Sequence, residues 1–192
     1  MKDILRLIVA LTLISTAAGV ILAVTNKATS SPIGNAGSKQ HGESLALVLP
    51  EFDNHPNLTT LDVNDGGRTW TFHVARKNGR YVGAAFVASS KKGYGGDLSL
   101  MVGVTAGGHV KQIRILSQQE TPGLGSKVAE EPFVSQFAGK PITGTVWAVT
   151  KDRGDFDAVT GATISSRAVL EAMRTGLEVY RNHADEIART GE

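Results

Sequence analysis

Four runs in the middle of the chain are strand-like, and two of them alternate apolar and polar residues with the two-residue period of a β-strand. In the clearest run, Leu98, Leu100 and Val102 lie on one face. Short turns separate the runs, and the pair Asn78-Gly79 favours a tight hairpin between the first two. The pattern predicts an antiparallel meander with one face packed on helices. Its strands are RTWTFHVAR, YVGAAFVAS, DLSLMVGVT and HVKQIRIL.

Helical patterns lie on both sides of this meander. Near the C-terminus, Val169, Met173, Leu177 and Tyr180 recur at helical spacing and predict a helix of several turns. The run ESLALVLPEF predicts a short helix that ends at Pro50. GTVWAV, between the meander and the last helix, predicts a further strand. Strands followed by helices indicate an α+β fold, an antiparallel sheet packed with helices.

The N-terminal run over residues 7–24 contains about 18 residues without a charge, enough for a helix to cross a hydrocarbon core of roughly 30 Å. Lys2 and Arg6 precede the run, and the positive-inside rule therefore predicts a single-pass protein of the cytoplasmic (inner) membrane with a cytoplasmic N-terminus. The remainder would be extracytoplasmic. A signal peptide cleaved near STAAG is the alternative. The apolar run continues past those residues, which favours a retained anchor.

The composition changes after this run and sets the predicted domain boundaries. Residues 26–41 are small and polar, with Gly, Ser and Pro, which is typical of a flexible tether. We therefore expect a transmembrane anchor in residues 1–25, a tether in residues 26–41 and one extracytoplasmic domain in residues 42–192. The length of 192 residues suits one compact domain with such an appendage.

Charge and residue types exclude several classes of function. The formal net charge is +2, and the basic residues do not form the clustered face that nucleic-acid binding requires. The chain has no cysteine, which excludes disulfides, thiolate metal sites and cysteine-ligated iron–sulfur clusters. The five histidines are scattered, so we expect no metal site. No nucleophile–base pair is recognisable either, and we assign no catalytic residue.

The segment DAVTGATISSRAV, residues 157–169, places four hydroxyl side chains around a Gly-Ala pair at the start of the predicted C-terminal helix. An ordinary N-cap is one interpretation. A phosphate site is the other, because a helix N-terminus presents unpaired N–H groups and a partial positive charge. Gly161 and Ala162 leave room for a phosphate to approach, with hydroxyls at Thr163, Ser165 and Ser166 around it. Composition alone does not show a covalent bond.

Asp157, Thr160, Gly161, Ala162 and Thr163 form D-x-x-T-G-A-T, which resembles the acceptor motif D-x-x-[ST]-G-A-T of the FMN-binding domain family. In that family a flavin transferase moves FMN from FAD onto the last threonine and creates a phosphoester. The resemblance therefore implies FMN bound covalently to Thr163. It also implies that Asp157 is the residue that the transferase recognises.

A second block, ETPGLG at residues 120–125, resembles the most recognisable loop of the same family. Upstream, GYGGDLSLMVGVTAGGHVKQIRIL resembles its glycine turn and strand pair, and the resemblance covers roughly residues 42–188. In the loop, Pro122 biases Thr121 toward an extended conformation, while Gly123 and Gly125 permit positive φ and close approach to a flat ring. We expect Thr121 and loop N–H groups to bind the flavin.

Several side chains near these motifs keep two interpretations each. Glu120 either contacts the cofactor or braces the loop, and Leu124 either contacts the ring or packs inward. Ser165, Ser166 and Arg167 are candidates for phosphate contact. The alternative for Ser166 is a hydrogen bond to N–H groups of the helix. Lys127 is either a compensating charge or an ordinary exposed lysine. Tyr94, Trp147 and Tyr180 either stack on the flavin or belong to the core, and the core is favoured.

Within the family, the chain most resembles the G subunit of the Rnf electron-transport complex, and the C subunit of the sodium-pumping NADH:quinone oxidoreductase is related. The resemblance implies an electron-relay subunit of an ion-translocating ferredoxin:NAD+ oxidoreductase rather than a self-sufficient enzyme. Its partners would be membrane and cluster-bearing subunits, the lipid bilayer and, during maturation, the flavin transferase. A component like that C subunit and a stand-alone flavinylated extracytoplasmic carrier or regulator are the alternatives.

Overall fold

The computed structural model describes residues 4, 6–19 and 41–191. The chain divides into two units, Met1–Gly42 and Glu43–Glu192. In the first unit, residues 6–19 are helical. The end of the predicted anchor and the predicted tether, apart from residue 41, lie outside the described residues.

The helix over residues 6–19 leaves its apolar side chains exposed. Its two threonines bond within the helix, because the hydroxyls of Thr12 and Thr16 donate to the carbonyl oxygens of Ile8 and Thr12, both at 2.8 Å. This is the usual way for a polar side chain to be satisfied on an apolar helix. Among the described residues, no helix combines the length and the hydropathy of a membrane span. The large side chains that are at least half exposed on this helix are Leu7, Ile8, Val9, Leu11, Leu13 and Ile14.

The second unit is built on a five-stranded antiparallel sheet in the order β1-β2-β3-β4-β5. The strands are β1 Thr60–Asp65, β2 Arg68–Lys77, β3 Arg80–Ser90, β4 Leu98–Thr105 and β5 Val110–Ser117. The predicted meander is confirmed, and the structure adds β1, which the sequence pattern did not reveal.

The hairpin between β2 and β3 follows from its turn residues. Asn78 and Gly79 have φ values of 51° and 73°, and Lys77 lies opposite Arg80. Positive φ at both central positions is the type I′ geometry that matches strand twist. The predicted Asn-Gly turn is confirmed.

Helices cover both faces of the sheet. Residues 41–48 form α1, followed by α2 Glu131–Val134, α3 Thr163–Asn182 and α4 Ala184–Arg189. The predicted helix before Pro50 is therefore confirmed, and the predicted C-terminal helix is divided at His183. Short 3-10 turns span Gly125–Ala129, Ser135–Phe137 and Thr150–Asp152.

The core lies mainly between α3 and one face of the sheet. The ring of Phe86 contacts those of Phe72 and Tyr180 at centroid distances of 5.3 and 6.4 Å. A Cβ on Gly176 of α3 would lie 2.3 Å from Phe86 Cε2, so the close approach of helix and sheet requires glycine there. A smaller cluster, with Leu45 and Val48, covers the other face. The α+β class is thus confirmed.

The strand predicted over GTVWAV is wrong. Pairing at this segment is limited to one bridge between Val149 and Phe156. Trp147 packs through its side chain instead: its ring stacks on Phe156 at 5.1 Å, and Phe156 stacks on Phe137 at 4.8 Å. The alternating pattern therefore reflects aromatic stacking and not sheet pairing.

Candidate functional site

The site lies at the N-terminus of α3, where the backbone is left open. The N-cap position is Ala162, and no side chain caps the helix. The first intrahelical bond runs from Ser166 N to Ala162 O at 3.1 Å, and the N–H groups of the three preceding residues find no backbone acceptor in the described chain. The Thr163 hydroxyl forms no hydrogen bond with any described residue. The N-terminal end of this 20-residue helix thus presents N–H donors and a hydroxyl with no partner among the described residues.

Residues 120–125 form a compact turn beside this helix end. The N–H groups of Leu124 and Ser126 both donate to Thr121 O at 3.2 Å. Ser126 Oγ accepts a further bond from Gly123 N at 2.9 Å, with Gly123 at a φ of 73°. These bonds use the inner polar groups of the turn and leave Thr121 and Leu124 exposed.

Glu120 braces a neighbouring glycine turn. Its side chain is 6% exposed, and its carboxylate accepts bonds from Tyr94 N at 2.9 Å and Gly95 N at 3.3 Å. Added Cβ atoms would lie 2.6 Å from Glu120 Oε1 at Gly93 and 1.8 Å from a backbone oxygen at Gly95. The glycine turn can therefore close around this carboxylate only because it lacks side chains, and Tyr94 is held at its tip.

Two glycines bring the turn over 120–125 against the helix end. At Gly161, φ is 78° and an added Cβ would lie 2.9 Å from Leu124 Cδ1. At Gly125, an added Cβ would lie 2.9 Å from Ser165 Oγ. Because L side chains rarely adopt positive φ, Gly161 is needed for its backbone as well as for its size.

These elements enclose a cavity of about 580 Å³, within the range of roughly 300–1,000 Å³ that is usual for small-molecule sites. Most of the side chains named from the sequence line it, together with two that were missed, Lys151 and Ile164. Basic Lys151 lies in the 3-10 turn Thr150–Asp152, and no sequence motif marks it. The lining residues are Tyr94, Glu120, Thr121, Leu124, Gly125, Lys151, Gly161, Ala162, Thr163, Ile164 and Ser165.

Some residues of the two motifs do not line this cavity. Asp157 and Thr160 border a separate groove of about 490 Å³ that also includes Lys127. Ser166 is fully buried, and its hydroxyl accepts from Val159 N and donates to Ala162 O, both at 3.0 Å. Ser166 therefore fixes the segment before the helix. Gly123 is likewise absent from the cavity lining.

Arg167 is committed to an ion pair. Its Nε and Nη2 atoms lie 2.7 and 2.8 Å from the two carboxylate oxygens of Asp152. This hydrogen bonding and the charge of Arg167 lower the pKa of Asp152 from its ordinary value. The pair ties the 3-10 turn that carries Lys151 to the first turns of α3.

Two of the three aromatic candidates lie elsewhere. Trp147 lines a third cavity, of about 390 Å³. Tyr180 is buried in the core, where its hydroxyl lies 2.9 Å from that of Tyr81. Burial raises the pKa of both phenols, so the pair stays neutral. Tyr94 alone of the three borders the cavity of Thr163.

The sequence matches a family model described as the FMN-binding domain over residues 93–178. That stretch contains the glycine turn, the turn over 120–125 and the start of α3. Proteins named as the G subunit of the ion-translocating oxidoreductase complex are similar along nearly the whole chain. The protein from Photorhabdus laumondii is 34% identical over 186 residues, which cover 90% of this chain and 89% of the relative. The protein from Salmonella typhimurium is 38% identical over 168 residues, 82% of each chain.

The chain belongs to the G-subunit family of ion-translocating oxidoreductase complexes.

Solved structures share the fold of this family member at low identity. NqrC from Shewanella oneidensis superimposes with a TM-score of 0.55 at 18% identity, covering 70% of this chain and 74% of that one. The C subunit of the Na(+)-translocating NADH-quinone reductase from Parabacteroides distasonis gives a TM-score of 0.51 at 21% identity, covering 65% of each chain. The G-subunit family member described here therefore shares its α+β architecture with these two proteins.

Proposed function

We propose that this chain is the electron-transfer subunit of a membrane-bound, Rnf-type ion-translocating oxidoreductase, and that it carries FMN through a phosphoester to Thr163. The observation that carries the proposal is the uncommitted Thr163 hydroxyl at an uncapped helix N-terminus, on the wall of the 580 Å³ cavity. The match to the FMN-binding domain and the G-subunit relatives support the redox role.

The residues around Thr163 fit the phosphate end of FMN. Free N–H groups at the head of α3 point a partial positive charge at this position, which favours an anion. Lys151 adds a cation on the same wall. Gly161 and Ala162 leave the approach open, since neither carries a side chain beyond Cβ.

The remaining wall fits a flat, partly apolar ring. Leu124, Ile164 and Tyr94 line the cavity with exposed fractions of 44%, 48% and 72%. Large apolar side chains with such exposure are covered favourably by a ligand, at about 25 cal/mol per Å² of apolar surface removed from water. Thr121 supplies a polar group on the same wall. FMN, when bound, supplies the redox chemistry, and the chain supplies its position and surroundings.

A covalent link through the phosphate has a clear physical consequence. It keeps the cofactor on the protein while the ring stays free of bonds to the chain. Thr163 holds the phosphate, the turn over 120–125 forms one wall, and Glu120 fixes the turn that carries Tyr94.

The proposal includes a membrane anchor. The uncharged run over residues 7–24, preceded by Lys2 and Arg6, supports a single span with a cytoplasmic N-terminus. Residues 26–41 would then form a tether, and residues 42–192 an extracytoplasmic domain. Its partners are the bilayer, the membrane and cluster-bearing subunits of the complex, and a flavin transferase during maturation.

Replacement of the acceptor tests the proposal. Full-length chain is produced with a flavin transferase, unfolded, separated on a denaturing gel and viewed by flavin fluorescence. Thr163→Ala should abolish the fluorescent band. Thr175→Ala, which removes an exposed hydroxyl of the same helix, should leave it unchanged. A Thr163→Ala chain that fluoresces like the wild type contradicts the assignment.

A role like that of the C subunit in a sodium-pumping NADH:quinone oxidoreductase is the second candidate. The two solved structures described above are proteins of that kind, but their identity of 18–21% bears on fold alone. Identities of 34–38% to G-subunit proteins favour the first candidate. Purification of the tagged chain from its membrane separates the two, because the co-purifying subunits would belong to one complex or the other.

A further inference from the structure

The side chain of Gln136 grips the backbone of Asp157. Gln136 Oε1 accepts a hydrogen bond from Asp157 N at 2.8 Å, and Gln136 Nε2 donates to Asp157 O at 3.3 Å. The same Nε2 lies 3.4 Å from Phe133 O. One primary amide therefore satisfies both backbone polar groups of Asp157, as a neighbouring strand would.

Gln136 itself stands on a rigid support. It belongs to the 3-10 turn Ser135–Phe137, and the fully buried ring of Phe137 stacks on Phe156, the residue before Asp157, at 4.8 Å. Phe133 packs on Phe137 at 5.4 Å. The turn that carries Gln136 is thus packed in an aromatic cluster, and that cluster includes Phe156, the residue before Asp157.

The grip fixes one part of what we call the acceptor loop, residues 157–163. Two residues further on, Val159 N donates to Ser166 Oγ at 3.0 Å. The loop is therefore held at Asp157 from the Gln136 turn and at Val159 from α3. After Val159 the loop runs into α3, and there Gly161 and Thr163 line the cavity.

The carboxylate of Asp157 stays free while its backbone is held. Asp157 is exposed, and its side chain forms no hydrogen bond or ion pair with the described residues. Gln136, Asp157 and Thr160 border the 490 Å³ groove, whereas Thr163 lines the other cavity. Asp157 therefore borders a different groove from the one that holds the proposed cofactor, and its exposed carboxylate is available to a protein partner.

We propose that Gln136 is a positioning residue for covalent flavin attachment: it fixes the Asp157 backbone so that the free carboxylate meets the flavin transferase in one orientation. The inference rests on the proposed function. In the transfer, Thr163 Oγ1 forms a bond to the FMN phosphorus of FAD, the pyrophosphate P–O bond breaks, AMP leaves with the bridging oxygen, and the hydroxyl proton is released to solvent. Gln136 touches none of the reacting atoms.

Initial rates of flavin transfer to purified, flavin-free, full-length chain test the proposal. Flavin transferase, FAD and varied concentrations of the chain in detergent are mixed, and covalent flavin is read by gel fluorescence. Gln136→Ala removes both hydrogen bonds, and Gln136→Met removes them while nearly conserving the side-chain volume. Both should lower kcat/KM by about tenfold, the size expected for two lost hydrogen bonds, chiefly through a higher KM for the chain. Gln136→Glu keeps the acceptor for Asp157 N, and its kcat/KM should lie between those of these variants and that of the wild type.

Asn54 offers a matched control. Its side-chain amide also makes two hydrogen bonds to backbone, in β2: Nδ2 donates to Val74 O at 2.8 Å, and Oδ1 accepts from Arg76 N at 2.9 Å. Asn54→Ala should lower the melting temperature as Gln136→Ala does, but folded Asn54→Ala chain should accept flavin at the wild-type rate. If Gln136 acts through Asp157, then Gln136→Ala should have little further effect in an Asp157→Ala background.

The outcomes separate the two claims. Wild-type transfer rates in both Gln136→Ala and Gln136→Met contradict the positioning role and leave the proposed function intact. Equal loss of transfer in Asn54→Ala also contradicts it, since the effect would then come from stability. A wild-type chain that takes up no covalent flavin contradicts the proposed function itself.

Discussion

The two ends of α3 are built in opposite ways. At its C-terminal end, Tyr180 is buried against Phe72 and Phe86, and its hydroxyl is paired with that of Tyr81. At its N-terminal end, the Thr163 hydroxyl and the first N–H groups have no partner among the described residues. One end of the helix is therefore fixed by packing, and the other offers unsatisfied polar groups to a ligand.

Exposure of apolar side chains follows the same division. Around Phe86 the side chains are fully buried, while Leu124 and Ile164 at the open end are nearly half exposed. Stability and cofactor binding can then be altered separately, because the groups that serve them lie on different turns of one helix. Substitutions at each end should therefore have different signatures.

The largest effect on stability is expected at the buried end. Phe86→Ala removes a ring at the centre of the aromatic cluster and should lower the free energy of unfolding by about 3–5 kcal/mol. Covalent flavin per folded chain should not change, because the ring contacts of Phe86 are with Trp70, Phe72 and Tyr180, away from the open end. Urea unfolding of the flavin-free chain gives the first quantity and gel fluorescence of the folded fraction gives the second. A selective loss of flavin in the folded fraction would contradict the division.

A smaller effect is expected for the brace at the open end. Glu120→Ala removes the acceptor of Tyr94 N and Gly95 N and should lower the free energy of unfolding by about 2–3 kcal/mol, since hydrogen bonds to a charged group are lost. The attached flavin should also become more mobile. Lower fluorescence anisotropy of the native flavinylated chain would show this. Glu120→Gln keeps one acceptor oxygen, and its anisotropy should lie between those of Glu120→Ala and the wild type. Unchanged anisotropy in Glu120→Ala would mean that the brace does not shape the site.

Gly161→Ala tests the backbone at the head of α3. The substitution places a Cβ on a residue with a φ of 78° and 2.9 Å from Leu124 Cδ1, and strain of this kind costs about 1–2 kcal/mol. Gly139 has a φ of 77° and nothing within 4 Å of an added Cβ. Gly139→Ala should therefore lower stability to a similar extent without slowing flavin attachment, whereas Gly161→Ala should slow it. Equal rates of flavin attachment in Gly161→Ala and Gly139→Ala would mean that Gly161 does not shape the site.

The sequence predicted the sheet where local chemistry decided the structure. Asn78-Gly79 dictates its own turn, and β4 alternates clearly between apolar and polar residues. β1 was missed because TLDVND carries only Leu61 and Val63 as apolar residues; it forms by pairing with β2 rather than by its own pattern. GTVWAV was misassigned because an apolar alternation does not say whether a backbone partner is near, and Trp147 stacks on Phe156 instead.

The site was predictable as far as its motifs extend. The two motifs supply the acceptor and one wall of the cavity. Lys151 lines the cavity through tertiary placement alone, whereas Ile164 lies beside Thr163 in the chain but belongs to neither motif. The grip of Gln136 on Asp157 joins residues 21 positions apart, which no spacing rule connects.

The smallest effect concerns pH. Hydrogen bonds from Lys92 and then from Ser90, against the opposing effect of burial, lower the pKa of Glu171 midway along α3 from its ordinary value of 4.5. A lowered folded pKa stabilises the fold above the ordinary value, and this contribution disappears as pH falls through the folded pKa. Glu171→Gln should remove this part of the acid dependence, by less than about 1 kcal/mol because Lys92, the charged partner, is largely exposed. Melting temperatures between neutral and acidic pH measure it; identical profiles would contradict it.

The most direct measurement is the intact mass and the peptide map of the wild-type chain from cells that contain a flavin transferase. We expect a mass increase of one FMN less one water, located on the peptide that contains Thr163. An unmodified chain, or a flavin on any other residue, would contradict covalent attachment at Thr163.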